Sequence, residues 1–237
     1  MSTTAVQRPR GTTADDCDPQ LAVTRSLLGY GFVAGPFYVV VSLTQALTRD
    51  GFDLSRHSWS LLANGTYGWI QIANLALSGL MVIGFTVGLR RARTERRWVP
   101  RLITVYGASL LASAAFRADP ALGFPAGTPQ DTTTVTWHGA LHFASGGVGF
   151  IALAAATFLV AGTYATDGRT AFATWTRVVG VLFLAGFAAI ASGSGGRASN
   201  IAFTAGIVLV WTWLATFALD RYRTTDPKSA TTTKPAN

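Results

Sequence analysis

Charged residues are scarce in this sequence, since Asp, Glu, Lys and Arg make up only 13% of its 237 residues, whereas soluble domains contain about 25%. Hydrophobic residues make up 49%. This balance excludes an ordinary soluble domain and predicts an integral membrane protein. The 19 basic residues outnumber the 11 acidic ones. They stand at the ends of apolar runs and not among polar, base-stacking aromatics, so we expect no nucleic acid partner.

Cysteine is nearly absent as well. The one cysteine, Cys17, excludes an internal disulfide and a Cys-based metal cluster. It lies in an N-terminal stretch that lacks the apolar core of a secretory signal peptide. We expect residues 1–25 and 220–237 to be disordered cytoplasmic tails, because neither stretch can bury enough apolar surface to fold. Residues 26–219 would form a single transmembrane domain.

Six apolar runs approach the length of about 20 residues that a helix needs to cross a bilayer core about 30 Å thick. The third and fifth are short, so the third would need flanking arginines that snorkel or would be a re-entrant segment. Gly31 and Gly35 are four residues apart, a spacing that lets helix backbones approach closely. The predicted fold is an all-α integral membrane protein, a bundle of six transmembrane helices. The runs cover residues 26–47, 67–89, 102–116, 138–162, 178–193 and 200–219.

The distribution of Lys and Arg predicts which connections face the cytoplasm, since these residues resist translocation when they are close to a span. Six arginines follow the second run within residues 90–101, which places that connection inside. An even number of spans then puts both termini inside as well. The predicted orientation is therefore N-in and C-in. Only four of the 19 basic residues would lie outside: Arg49, Arg56, Arg117 and Arg197.

In this orientation, polar side chains gather in the outer halves of the spans at helical spacing. If these stripes face one another, the bundle encloses a polar pocket that is open to the outside. Such a pocket would hold a small ligand or a lipid headgroup. The expected pocket-lining residues are Gln71, Asn74, Ser78, Ser113, Ser145 and Asn200.

The connection between the first and second runs has the pattern of a short interfacial helix. It would begin near Asp53 or Ser55. Trp59 and Leu62 would dip into the lipid. This arrangement would place His57 near the mouth of the pocket.

His138 and His142 are four residues apart, so both imidazoles would lie on one face of the fourth helix, a spacing that suits one metal ion. With His57 or Asp119 as a further ligand, the site would bind a metal such as Zn²⁺, which lowers the pKa of a bound water. The helix lacks, however, the Glu that follows the first His in metalloproteases. Two alternatives need no metal. In one, His138 caps the helix start and His142 hydrogen-bonds across the bundle, and in the other the pair does acid/base chemistry.

The connection ahead of this helix is rich in Pro and Gly, which restrict the backbone to turns. We therefore expect it to be a structured lid over the pocket. Asp119 either caps a turn or faces the pocket as a base or ligand. Arg117 either clamps a phosphate or carboxylate group, or snorkels at a helix end. If the pocket is an active site, its candidate catalytic residues are His138, His142, Asp119 and Arg117.

Three motifs occur in order along the chain: "HSWSLLANGTYGWIQIANLALSGLMVIGFTVGLRRA", "FRADPALGFPAGTP" and "HGALHFASGGVGF". Together they resemble the multi-pass bacterial and archaeal membrane family called domain of unknown function 998, over about residues 26–219. The resemblance implies a helical membrane protein of six to seven spans and carries no established activity. It also implies that Asp119, His138 and His142 belong to one family signature.

We therefore expect a multi-pass protein of a prokaryotic plasma membrane, with the lipid bilayer as its first partner. Its pocket would serve a hydrolase or transferase that acts on a lipid or envelope-linked substrate. The alternative is a non-enzymatic scaffold, sensor or accessory subunit in which the same polar groups hold the bundle together. A transporter is less favoured, because the inner halves of the spans offer no charged residue that would continue a path.

Overall fold

The computed structural model of the protein describes residues 18–131, 134–192 and 196–225. In that part the chain forms six α-helices and one short 3₁₀ helix. The predicted all-helical class is confirmed. In chain order the helices are α1 (Pro19–Thr48), the 3₁₀ helix (Trp59–Ala63), α2 (Gly68–Ala92), α3 (Trp98–Ala115), α4 (Trp137–Thr166), α5 (Thr170–Ala191) and α6 (Arg197–Thr224).

Most helices extend past the predicted apolar runs. α1 begins at Pro19, inside the stretch 1–25 that was predicted as a tail, because Asp18 caps it and proline suits the first position of a helix. The Asp18 carboxylate accepts a hydrogen bond of 2.9 Å from the Gln20 N–H. α6 continues to Thr224, past the predicted boundary at residue 219. Residues 1–17, including Cys17, and 226–237 of the predicted tails lie outside the described residues.

Each helix packs against its neighbours in sequence, and α6 returns to α1, so the six helices form a closed ring. Neighbours run antiparallel. One end of the ring carries the connections α1–α2, α3–α4 and α5–α6, and we call it the lid end. The opposite end carries the start of α1, the end of α6 and the connections α2–α3 and α4–α5, and we call it the tail end.

Five of the helices are long and apolar enough to cross a membrane, namely α1, α2, α4, α5 and α6. α3 is not in this group. Its 18 residues measure about 27 Å at about 1.5 Å per residue. The protein is therefore a multi-pass helical membrane protein, whereas the sixth span and the orientation stay predictions.

Glycines let α1 approach its neighbours closely. A Cβ atom at Gly31 would lie 2.6 Å from the Phe85 ring of α2, and one at Gly35 would lie 2.7 Å from the carbonyl oxygen of Trp211 in α6. Both distances are too short for a real Cβ contact. The close approach predicted from these two glycines is confirmed.

An ionic cluster joins three segments at the tail end. Arg169, between α4 and α5, donates hydrogen bonds of 2.9 and 2.7 Å to the two carboxylate oxygens of Asp220 in α6. The Tyr164 hydroxyl donates a third, of 2.9 Å, to the same carboxylate. Next to it, the buried side chains of Arg221 and Glu95 form an ion pair in which Nε lies 2.7 Å from Oε1. The cluster fastens the end of α6 to the α2–α3 and α4–α5 connections.

Candidate functional site

The α3–α4 connection at the lid end is built around a tight turn. Ala121 and Phe124 exchange two backbone hydrogen bonds, of 3.1 and 3.0 Å. The two residues between them have positive φ, 55° at Leu122 and 84° at Gly123, as a type I′ turn requires. Glycine adopts this conformation without strain, whereas leucine rarely does. The predicted lid is thus an ordered segment.

His57 connects the first lid-end connection to this turn. Its Nδ1 accepts a hydrogen bond of 2.9 Å from the Asp53 N–H, so Nε2 carries the proton and donates to the Leu122 carbonyl at 3.0 Å. The imidazole is buried and lies 5.6 Å from the Phe124 ring. Both ring nitrogens of His57 are therefore engaged in structural hydrogen bonds.

The 3₁₀ helix lies under the lid and not in the lipid. Trp59 and Leu62 are both buried in the protein core, so the prediction that they dip into the bilayer was wrong. The reason is that the flanking segment is tied inward. Arg49 donates to the carbonyls of Leu62 and Asn64, and Asn64 Nδ2 donates to the Ala118 carbonyl at 3.0 Å.

Asn200 holds the same layer from the side of α6. Its Nδ2 donates hydrogen bonds to the carbonyls of Leu54, at 2.8 Å, and His57, at 3.2 Å. It was expected to line the pocket. In the structure its amide instead fixes the first lid-end connection.

Asp119 holds Thr136, the N-cap residue of α4, in place. Its carboxylate accepts hydrogen bonds from the Thr136 N–H, at 2.8 Å, and from the Thr136 hydroxyl, at 2.6 Å. That hydroxyl oxygen in turn accepts from the Gly139 N–H at 3.2 Å. The carboxylate also lies against Gly139, where it would clash with a Cβ atom. A negative charge at this position suits the N-terminal end of a helix.

His138 and Arg117 lie on the outside of the lid end. Both are exposed. The His138 ring lies over Trp137, with a centroid distance of 3.5 Å, and 6.2 Å from the Phe116 ring. His138 therefore faces away from the ring interior, although it stands one helical turn before His142.

A cavity of about 110 Å³ lies inside the ring at the lid end, bounded by all six helices and the 3₁₀ helix. Most of its wall is apolar or aromatic. Phe143, which is 61% exposed, forms part of this wall, so the cavity reaches the outer surface of the ring beside α4. Its polar lining residues are Ser58, Ser60, Ser109, Ser113, His142 and Thr204.

The imidazole of His142 lies on this wall and contacts the backbone of Phe116 and Ser113 at the end of α3. Its Nδ1 lies 2.8 Å from the carbonyl oxygen of Phe116 at the end of α3. A carbonyl only accepts, so Nδ1 carries the proton and Nε2 is left as an unprotonated acceptor. The side chain is only 7% exposed. His142 can therefore accept a hydrogen bond, or a proton, from a group inside the cavity.

The serines around His142 are held by hydrogen bonds within their own helices or between two helices. Ser109 donates to the Tyr106 carbonyl at 2.7 Å, and Ser145 donates to the His142 carbonyl at 3.0 Å. Ser113 Oγ lies 3.5 Å from Ser145 Oγ. Of these contacts, the one between Ser113 and Ser145 joins α3 to α4 next to the cavity.

The polar residues of α2 that were expected to line the pocket face α1 and not the cavity. Gln71 and Asn74 join Ser42 and Gln45 of α1 in a buried network, with hydrogen bonds of 2.8 Å from Gln45 Nε2 to Gln71 Oε1 and 3.0 Å from Asn74 Nδ2 to Ser42 Oγ. Ser78 donates to Asn74 Oδ1 at 3.4 Å. The network joins α1 to α2, and none of these residues lines the lid-end cavity.

The structure thus brings together only part of the predicted site. Ser113 and His142 line the cavity, with Ser145 beside them, whereas Asp119, His138 and His57 point into separate contacts. Within residues 18–131, 134–192 and 196–225, no three His, Cys, Asp or Glu side chains lie close enough to hold a metal ion. The described residues therefore offer no ready set of Zn²⁺ ligands.

Sequence reasoning missed the aromatic walls of the cavity and the ionic cluster at the tail end. Trp211 stacks on Tyr38, with ring centroids 4.7 Å apart, and lies 5.6 Å from Tyr106. These residues look like ordinary core in an apolar run. Ser42 and Gln45 could have been found, because two polar residues three apart in an apolar helix mark one face.

The fold and the site define a multi-pass helical membrane protein with a buried cavity at one end of the ring. The chain belongs to the family described as protein of unknown function (DUF998), whose model matches residues 32–220. This match confirms the resemblance seen in the motifs. Comparison with curated proteins and with solved structures gives no match.

Proposed function

We propose that this protein spans a prokaryotic plasma membrane six times, N-in and C-in, and binds an amphipathic molecule in the lid-end cavity from the outer leaflet. The place of α3 in the ring supports a sixth span, because α3 packs between α2 and α4 and its length is close to the bilayer core. The six arginines between Arg90 and Arg101 support a cytoplasmic tail end.

The observation that carries the proposal is the place of the buried His142 imidazole on a mostly apolar cavity wall. An apolar pocket with a few placed polar groups is the usual form of a small-molecule site. The acceptor nitrogen favours a ligand with a hydroxyl, amine or amide donor. The exposed Phe143 at the cavity edge gives such a ligand a route from the surrounding lipid.

As an enzyme, the protein would be a hydrolase or transferase that uses His142 as a general base towards a hydroxyl group or a water in the cavity. Arg117 and His138 are exposed at the same end, where they would meet the headgroup of a lipid or envelope-linked substrate. Asp119 would act indirectly, because it holds the start of the helix that carries His142.

Two glycines of α4 give a direct test of ligand binding. Gly146 lines the cavity, Gly162 does not, and a Cβ atom at either position would meet no atom within 4 Å. Gly146→Leu should fill the cavity, whereas Gly162→Leu is its matched control on the same helix. The probe is a brominated fatty alcohol, which quenches the fluorescence of the cavity residues Trp59 and Trp211 on contact.

We expect saturable quenching in the wild type and in Gly162→Leu, and its loss in Gly146→Leu. Equal saturable quenching in all three proteins would exclude the cavity as the binding site.

A non-enzymatic scaffold is the second candidate, and one observation favours it. His57, Asn64, Asp119 and Asn200 all use their polar atoms in hydrogen bonds that hold the lid end together. A scaffold would tolerate Gly146→Leu without loss of cellular function, whereas a ligand-binding protein would not.

A further inference from the structure

A second depression lies at the lid end, between α1 and α2. Its volume is about 870 Å³, and it shares no lining residue with the lid-end cavity. Its wall includes Val40, Val41, Thr44, Arg49, Asp50 and Ile70, and Pro125 of the lid. We call it the α1–α2 groove. The groove is thus a separate site from the lid-end cavity.

The length of the groove matches one leaflet of a bilayer. Val40 and Arg49 both line it, and the nine residue steps from one to the other correspond to about 13 Å along a helix. Half of a bilayer core is about 15 Å. Val40 is 61% exposed, so this part of the groove faces outward from the ring. The groove therefore runs from the membrane surface at Arg49 towards the bilayer centre at Val40.

Arg49 brings a positive charge to the surface end of the groove. It lies over the Phe124 ring, 4.8 Å from the ring centroid, and its two hydrogen bonds go to the neutral carbonyls of Leu62 and Asn64. The ion pairs found among the described residues lie at the tail end, so none of them neutralises Arg49. Partial burial lowers the pKa of Arg49 from its ordinary value.

The guanidinium has further N–H groups beyond the two that these bonds use. An anion in the groove could accept from them and offset the cost of burying the charge.

Asp50 adds a negative charge beside it. This exposed carboxylate is the next residue in the chain and lines the same groove. A purely anionic headgroup would meet repulsion from Asp50, and a purely cationic one would meet repulsion from Arg49. The adjacent positive charge of Arg49 and negative charge of Asp50 therefore favour a zwitterionic headgroup, which carries one charge of each sign.

We propose that the α1–α2 groove binds one phosphatidylethanolamine-type phospholipid, with its phosphate on Arg49, its ammonium on Asp50 and an acyl chain along Val40, Thr44 and Ile70. A primary ammonium can donate hydrogen bonds to Asp50, which the trimethylated ammonium of phosphatidylcholine cannot. This lipid would act as a fixed part of the lid end, because Pro125 of the lid forms the groove wall beside it.

The test is native mass spectrometry of the full chain, delipidated in detergent and titrated with phosphatidylethanolamine, phosphatidylglycerol and phosphatidylcholine of identical acyl chains. The wild type should retain one phosphatidylethanolamine, with an affinity about fivefold above that for either of the other lipids. Asp50→Asn should abolish this preference. Asp131→Asn, an exposed acid outside the groove, is the matched control and should keep it.

A second variant tests the acyl part of the groove without touching the structural bonds of Arg49. Thr44 is exposed on α1, so Thr44→Trp should fold and should weaken the binding of all three lipids. The proposal is overturned if the wild type binds phosphatidylglycerol as tightly as phosphatidylethanolamine, or if Asp50→Asn keeps the wild-type preference. It is equally overturned if Thr44→Trp leaves every affinity unchanged.

Discussion

His142 of α4 donates a hydrogen bond of 2.8 Å from Nδ1 to the carbonyl oxygen of Phe116 at the end of α3. This single bond does two things. It satisfies a carbonyl at a helix end, and it fixes the neutral tautomer in which Nε2 is unprotonated. The two roles of His142, in stability and in binding, reside on different ring nitrogens and can be separated by substitution.

His142→Asn should keep the fold and lose the ligand, because an asparagine amide can replace the Nδ1 donor but not Nε2. His142→Ala should lose both and destabilise the protein by about 1–3 kcal/mol, since it leaves the Phe116 carbonyl unpaired. Thermal unfolding in detergent and quenching by the brominated fatty alcohol measure the two effects. His138→Ala is the control and should change stability by less than about 0.5 kcal/mol, because His138 is exposed. Ligand binding that survives in His142→Asn would rule out a contact at Nε2.

Asp119→Ala should lower stability by about 1 kcal/mol, because it removes the two hydrogen bonds that hold Thr136, the N-cap residue of α4. Replacement by Asn should cost less, because the amide oxygen still accepts one of the two bonds from Thr136. The readouts are the unfolding temperature and ligand binding per folded molecule. If Asp119 is instead a catalytic base, Asp119→Asn would abolish turnover at wild-type stability.

Gly149 tests how tightly α3 and α4 pack beside the cavity. A Cβ atom at Gly149 would lie 2.5 Å from the Cβ of Ser109 and would also clash with its hydroxyl oxygen. Gly149→Ala should therefore cost about 1–3 kcal/mol, and Ser109→Gly should restore most of that loss in the double variant. Gly146→Ala on the same helix meets no atom within 4 Å and should be nearly neutral. Unfolding curves of the wild type, Gly149→Ala, Ser109→Gly and the double variant form a double-mutant cycle. Additive effects of the two substitutions would contradict the contact between Gly149 and Ser109.

Glu95 should make stability fall as pH rises. Burial raises its pKa from 4.5 to about 7, so the folded protein binds a proton that the unfolded chain has already released at pH 6. The stability linked to this proton is fully present below pH 4.5, and is lost as pH rises through about 7. We expect the unfolding temperature of the wild type to drop across this window relative to Glu95→Gln, measured by fluorescence in the same detergent. Parallel pH profiles of the two proteins would contradict the shift.

Apolar runs in the sequence predicted where the helices lie, because length and hydrophobicity alone decide which segments can cross a bilayer. They did not predict the helix ends, since capping groups such as Asp18 and polar residues up to Thr224 lie outside the apolar runs. The error at the 3₁₀ helix has a similar cause. Trp59 and Leu62 suit lipid and protein interior equally well, and hydropathy does not distinguish the two.

The rotation of each helix could not be predicted from one sequence. Gln71 and Asn74 do share a face of α2, as their spacing indicates. That face meets Ser42 and Gln45 of α1 and not the cavity, because packing against neighbours sets the rotation. Periodicity placed Ser113 and His142 at cavity-facing positions only because α3 and α4 happen to turn those faces inward.

The ionic cluster at the tail end has a consequence for biosynthesis. A chain made from its N-terminus contains Glu95 and Arg169 well before Asp220 and Arg221 are synthesised. Glu95 and Arg169 therefore lack their ion-pair partners until the end of α6 has been made. Until α6 inserts, the ring is open between α1 and α5. A ribosome that stops before α6 begins at Arg197 would therefore release a bundle with two uncompensated charges and an open flank between α1 and α5, which membrane quality control could recognise.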